Sequence, residues 1–159
     1  MLNSLGAVLL AALMVSLLIV SGLAQGNPKF VGTLKDSSVS DGCGCYFQSL
    51  AAVRAQGQGA VLFSDFSESA WVNIDGRDVR LKHMKSEGPA KARSGPHRRG
   101  DRTIESYGGG GVKVRVERVV TKTCPADEPN CEYVWMSAVI TVVKGGRRQV
   151  VRGTGGCGC

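Results

Sequence analysis

The chain has 159 residues, a formal net charge of +7, six cysteines, 22 glycines and few aromatic side chains (6%). That length fits one domain and excludes a multidomain machine. A hydrophobic fraction of 43% beside 21% charged residues excludes disorder throughout.

In chain order, Leu5 to Val20 are nearly all apolar, and the small residues Gly22 and Ala24 suit a signal-peptidase cut after Ala24. Residues 1–24 therefore read as a signal peptide, and the mature protein as secreted or periplasmic. Met1-Leu2-Asn3-Ser4 offers only the terminal amine as positive charge, so anchoring by an uncleaved N-terminal helix is the alternative. What remains after cleavage can bury about two-thirds of the surface its unfolded form exposes, enough for a real core.

Residues 25–41 carry Gly, Ser, Asp and Lys and read as a flexible arm, with at most one short strand near Phe30-Val31. From 42 to 159 a single β domain is expected. Apolar alternation of period two, punctuated by turn signals, marks half-buried antiparallel strands. The predicted strands are Cys43 to Leu50, Gly59 to Ser64, Ser69 to Ile74 and Arg77 to Met84. Arg102 to Tyr107, Val112 to Thr123, Glu132 to Lys144 and Arg147 to Thr154 complete them. Ser49 to Gln56 has modest helical appeal and reads either as one or two turns of helix or as more of the first strand. Asp75-Gly76 and Gly145-Gly146 are two-residue hairpin signals. The Gly108 to Gly111 run suits a hairpin or bulge; no Lys-Ser/Thr follows it, so a phosphate loop is not supported.

Val112, Val114 and Val116 share one face, and the phase is expected to slip in a bulge at Arg118-Val119-Val120. Val134, Met136, Ala138, Ile140 and Val142 form one face of the next strand. The fold class is all-β: about eight antiparallel strands in a meander, closed as a small barrel or stacked as a two-sheet sandwich.

Six cysteines allow 15 pairings. Cys124 and Cys131 sit at facing ends of one predicted hairpin and can meet directly. In a Cys-x-Cys strand both side chains share a face. If the first and last strands pair antiparallel, Cys43 faces Cys159 and Cys45 faces Cys157, two rungs locking the chain ends together. The first such rung is worth about 5 kcal/mol by loop entropy and the second much less. Structural disulfides in an exported protein are the leading reading. The alternatives make Cys43, Cys45, Cys157 and Cys159 a thiolate site for Zn or Cu(I), or give either Cys-x-Cys a redox role through a ring within the pair.

Between Arg80 and Arg102 stand Arg80, Lys82, Lys85, Lys91, Arg93, Arg98, Arg99 and Arg102, against Glu87 and Asp101 alone. Residues 86–102 read as a long exposed basic loop. Loops beyond about 12–15 residues in compact domains are usually functional or disordered. As a site, Lys91, Arg93, Arg98, Arg99 and Arg102 would dock an anionic envelope polymer, a lipid head group or an acidic protein. Nucleic acid is unsupported, because no aromatic side chain stands among these residues to stack on bases.

No catalytic motif occurs. The histidines are His83, inside a predicted strand, and His97, in the basic loop, and acidic residues near turns are explained by turn hydrogen bonds. Trp71, Trp135, Tyr107 and Tyr133 read as core or rim residues. The build resembles the small periplasmic barrels that include bacterial lysozyme inhibitors, in architecture and without a shared motif. The +7 charge argues against a basic lysozyme as partner. The expectation is an exported, non-catalytic binding or envelope-associated structural protein, with no cofactor. Thiolate metal binding or redox chemistry is the alternative.

Overall fold

The structure, a computed structural model, describes residues 29–36, 42–66, 68–88, 97–125, 127–128 and 131–159. The expected signal peptide, with Lys91 and Arg93 of the basic loop, lies outside these. Among the described residues are nine strands and one helix. They are β1 (Val31–Gly32), β2 (Gly44–Ser49), α1 (Leu50–Arg54), β3 (Leu62–Asp65), β4 (Ser69–Ile74), β5 (Arg77–Glu87), β6 (Arg102–Gly109), β7 (Val112–Lys122), β8 (Val134–Lys144) and β9 (Arg147–Gly158).

Strands β2 to β9 pair antiparallel with their sequence neighbours, and β9 returns to pair with β2. The result is a closed eight-stranded up-and-down barrel in which each of the eight strands has a neighbour on both sides. Closure, not a sandwich, follows from the register: Cys45 stands opposite Cys157, and Ser49 opposite Gly153. The turns at Asp75-Gly76, Gly110-Gly111 and Gly145-Gly146 have positive φ at both residues, as type I′ hairpins require, and lie together at one end. Phe66 and Glu68, residues 97–101, Cys124, Cys131 and the Cys-x-Cys pairs lie at the other end.

Alternation puts Val112, Val114, Val116 and Val120 of β7 inside, with Met136, Ala138, Ile140 and Val142 of β8 beside them. The turn-bearing end is filled by Phe47, Leu62, Ile74, Leu81, Ile140 and Val142. Ser49 caps α1, its Oγ accepting the Ala52 N–H at 3.0 Å.

Four local expectations need correction. β7 does not slip at Arg118: the period-two pattern runs through it, so Arg118 points into the barrel, and the register shift falls between Val120 and Lys122. The basic loop is shorter than 86–102, because β5 continues through Ser86 and Glu87 and β6 already includes Arg102. β9 runs past Thr154 to Gly158, where only glycine permits the packing. A Cβ on Gly155 would stand 1.9 Å from Tyr46 O, and one on Gly156 would meet the Tyr133 ring at 2.7 Å. Within the expected flexible arm, residues 29–36 are docked. β1 pairs with the end of β4 beyond the reach of β3. Phe30 is buried beneath the Arg147 guanidinium (4.5 Å to the ring centroid), and Gln149 Oε1 accepts the N–H of both Phe30 and Val31.

Candidate functional site: the open mouth of the barrel

The cysteines lie as three disulfides, Cys43–Cys159, Cys45–Cys157 and Cys124–Cys131. The first two are successive rungs between β2 and β9, and the third closes the loop between β7 and β8. All six cysteines are bonded, so in this state neither Cys-x-Cys pair offers a thiolate to zinc or Cu(I). Three disulfides point to an oxidising, extracellular environment. Among the described residues no helix is long and apolar enough to cross a membrane.

The inner rung forms part of the floor of a cavity of about 320 Å³ that opens at the end opposite the tight turns. That volume is at the small end of ligand-binding pockets. Its walls come from elements far apart in sequence: Asp65, Phe66 and Glu68 around the β3–β4 turn, His83 and Ser86 on β5, His97 and Asp101 at the end of the basic loop, and Glu105 and Tyr107 on β6. Val120 and Met136 give it an apolar side.

Arg118 is the centre of this site. Its side chain is only 8% exposed, and a buried guanidinium is tolerated only when paired. One Nη is ion-paired with Glu105, and the other stands 2.9 Å from Cys45 Sγ and 3.6 Å from Cys157 Sγ. Among the described residues its Nε finds no hydrogen-bond partner. Glu105 accepts a second hydrogen bond from the Tyr107 hydroxyl. Burial, then the Glu105 carboxylate, pushes the Tyr107 hydroxyl far above the ordinary phenol range, so it remains a donor at any physiological pH. A carboxylate, a phenol, a guanidinium and a disulfide thus form one connected group.

Around it, His83 Nε2 lies 2.7 Å from Ser86 Oγ, and its ring meets Tyr107 edge-on at 5.5 Å. The register shift of β5 between His83 and Lys85 brings that serine back to the histidine. Asp65 Oδ1 accepts the Ser69 N–H at 2.7 Å, and Asp101 Oδ2 accepts the Arg98 N–H at 2.7 Å. Phe66, 62% exposed, stands at the lip.

The expected anion-docking residues separate. Arg98 and Arg99 are exposed beside the mouth. Arg102 belongs to β6 and is paired with Glu117, which also takes Arg115. Those two hydrogen bonds hold the Glu117 carboxyl below its ordinary range. His97 and Asp101 lie in the cavity wall, a role the basic run in the sequence conceals. Trp71 and Trp135 sit on the outside of the sheet, under Arg80 and Lys122 respectively. Among the described residues no group of three or more His, Cys, Asp or Glu side chains is arranged to hold a metal ion. Comparison with known proteins finds no matching family, no matching curated protein and no matching solved structure.

Proposed function

We propose that this is an exported, non-catalytic binding protein that docks an anionic envelope polymer at the open end of its barrel through the basic side chains of the 88–101 loop. One observation carries the reading: Arg98 and Arg99 stand exposed beside the cavity mouth, and the sequence just before them adds Lys91 and Arg93. Arg102 and Lys85 are already engaged by Glu117 and Glu87 and contribute less free charge. The apolar run at Leu5 to Val20, the small residues before Gln25 and the disulfides support export, with cleavage after Ala24.

Binding to an immobilised anionic polysaccharide tests this. Wild type should be retained at low salt and elute as salt rises. Replacing Lys91, Arg93, Arg98 and Arg99 together by Ser should abolish retention without changing thermal stability. Equal retention of the two proteins sinks the reading. Selective capture by vesicles of anionic lipid, or by an acidic protein, would replace the polymer with that partner.

Binding of zinc or Cu(I) by Cys43, Cys45, Cys157 and Cys159 remains the alternative. It requires both rungs to be reduced, and the native mass of the reduced protein with either metal tests it.

A further inference from the structure

Two rungs close nearly the same loop, with sequence separations of 116 and 112 residues. Loop-closure entropy is removed once, so stapling accounts for one rung and leaves the other with little to add. The rungs differ in their surroundings. Cys43 and Cys159 are exposed on the outer rim, whereas Cys45 and Cys157 are 4% and 8% exposed and line the mouth cavity beside a buried guanidinium. That guanidinium is poorly served as it stands. One Nη is held by Glu105, but the other faces a disulfide sulfur, a weak acceptor, and among the described residues Nε finds no partner. A thiolate at Cys45 would give the same Nη a charged acceptor where it already stands, 2.9 Å away.

We propose that Cys45–Cys157 is a redox-active disulfide that exchanges with a small external thiol entering through the mouth of the barrel, while Cys43–Cys159 and Cys124–Cys131 are structural. A cation beside the sulfur favours thiolate over thiol, and stabilising the reduced form makes a disulfide more oxidising. The thiolate of the incoming molecule attacks Sγ of Cys157, the more exposed of the two residues. A sulfur–sulfur bond forms there, the Cys45–Cys157 bond breaks, and its electron pair stays on Cys45 Sγ, facing Arg118. A second external thiolate then attacks the outer sulfur of the mixed disulfide and releases Cys157 as the second thiolate. The protons of the two incoming thiols go to solvent or to the released sulfurs. Two thiols are oxidised to one disulfide, and the protein gains two electrons. Throughout, Cys43–Cys159 keeps β2 and β9 joined, so the barrel stays closed while its inner rung is open. A cavity of about 320 Å³ suits a free thiol of cysteine-peptide size and excludes a folded domain.

The test is a redox titration of the folded protein in glutathione buffers, quenched with acid, alkylated and mapped by peptide mass. Cys45 and Cys157 should become labelled at a poise where the other four cysteines stay unlabelled. Access alone would reduce the exposed Cys43–Cys159 rung first. That order, or simultaneous labelling of all three pairs, overturns the proposal. Arg118→Met should shift the equilibrium constant for the inner pair at least about tenfold toward the disulfide. A second readout needs no variant: thiolate absorbance of the selectively reduced wild type, followed against pH. The signal should persist to a pH below that at which an ordinary cysteine becomes protonated; loss at the ordinary pH overturns the role given to Arg118.

Discussion

At the end carrying the tight turns, the strands fill the barrel with Phe47, Ile74, Leu81, Ile140 and Val142, none more than 1% exposed. Toward the mouth, β2, β3, β6 and β7 present Cys45, Ser64, Glu105, Tyr107 and Arg118 to the same interior. The alternation is continuous; only the chemistry of the inward positions changes. The closed end is held by packing and the mouth by covalent bonds, and the comparison shows how the two tasks are divided. Apolar contacts at one end and disulfides at the other specify the barrel, which leaves the mouth able to carry polar groups that a core would not tolerate. Tyr107, the buried arginine and the disulfide can be held in one geometry because neither β2 nor β9 can part from its neighbour.

This division can be broken from either side. The largest expected effect is at the mouth. Replacing Cys43, Cys45, Cys157 and Cys159 together by Ala should cost about 5 kcal/mol in urea unfolding, whereas removing only the Cys45–Cys157 rung should cost a small part of that. Equal losses from the single and double removals would show that the rungs are not redundant. At the closed end, Phe47→Ala should cost about 4 kcal/mol, because the side chain is wholly enclosed and the surrounding strands cannot collapse into the space. A loss under about 1 kcal/mol would mean that the closed end is not the packed half.

Arg118→Met should cost about 3 kcal/mol by leaving Glu105 without its counter-ion. Adding Glu105→Leu should restore most of that loss, and a double variant no more stable than the single would argue against the pairing. The smallest effect is at the closed rim. Hydrogen bonds from Arg147, with help from Lys144, hold the Asp75 carboxyl at about 2 against 3.8 ordinarily. Folding therefore favours the carboxylate, so its contribution is fully present above pH 3.8 and fades as pH falls toward 2. The melting temperature of Asp75→Asn should fall less steeply than wild type across that window. Parallel curves would show that the pair does not contribute.

The fold was legible because its signals are local. Period-two alternation and paired turn glycines need only short windows, and the spacing of Cys43, Cys45, Cys157 and Cys159 then fixes the pairing once β2 and β9 are neighbours. Arg118 was misread for a physical reason. A charged residue interrupting a run of valines looks like a change of face, and only its partners on β6 make an inward arginine tolerable. The hint was in β6 itself, where Thr103, Glu105 and Tyr107 share one face of a strand that would otherwise need apolar residues there. His97 and Asp101 had no such hint. The sequence marks their segment by its charge, and which of its residues turn toward the cavity depends on how the loop returns to β6.

The glycines of β9 have one more consequence. Side chains at Gly155 and Gly156 would collide with the backbone of both flanking strands, and one at Gly44 would meet Ser64 O at 2.6 Å. The two stretches are therefore spelled out by steric necessity, as Cys-Gly-Cys at 43–45 and Gly-x-Gly-Gly-Cys-Gly-Cys at 153–159, with their inner cysteines 112 residues apart. Together they amount to a fingerprint. A chain carrying both at about that spacing should close its barrel by the same seam, however far the strands and loops between them have diverged.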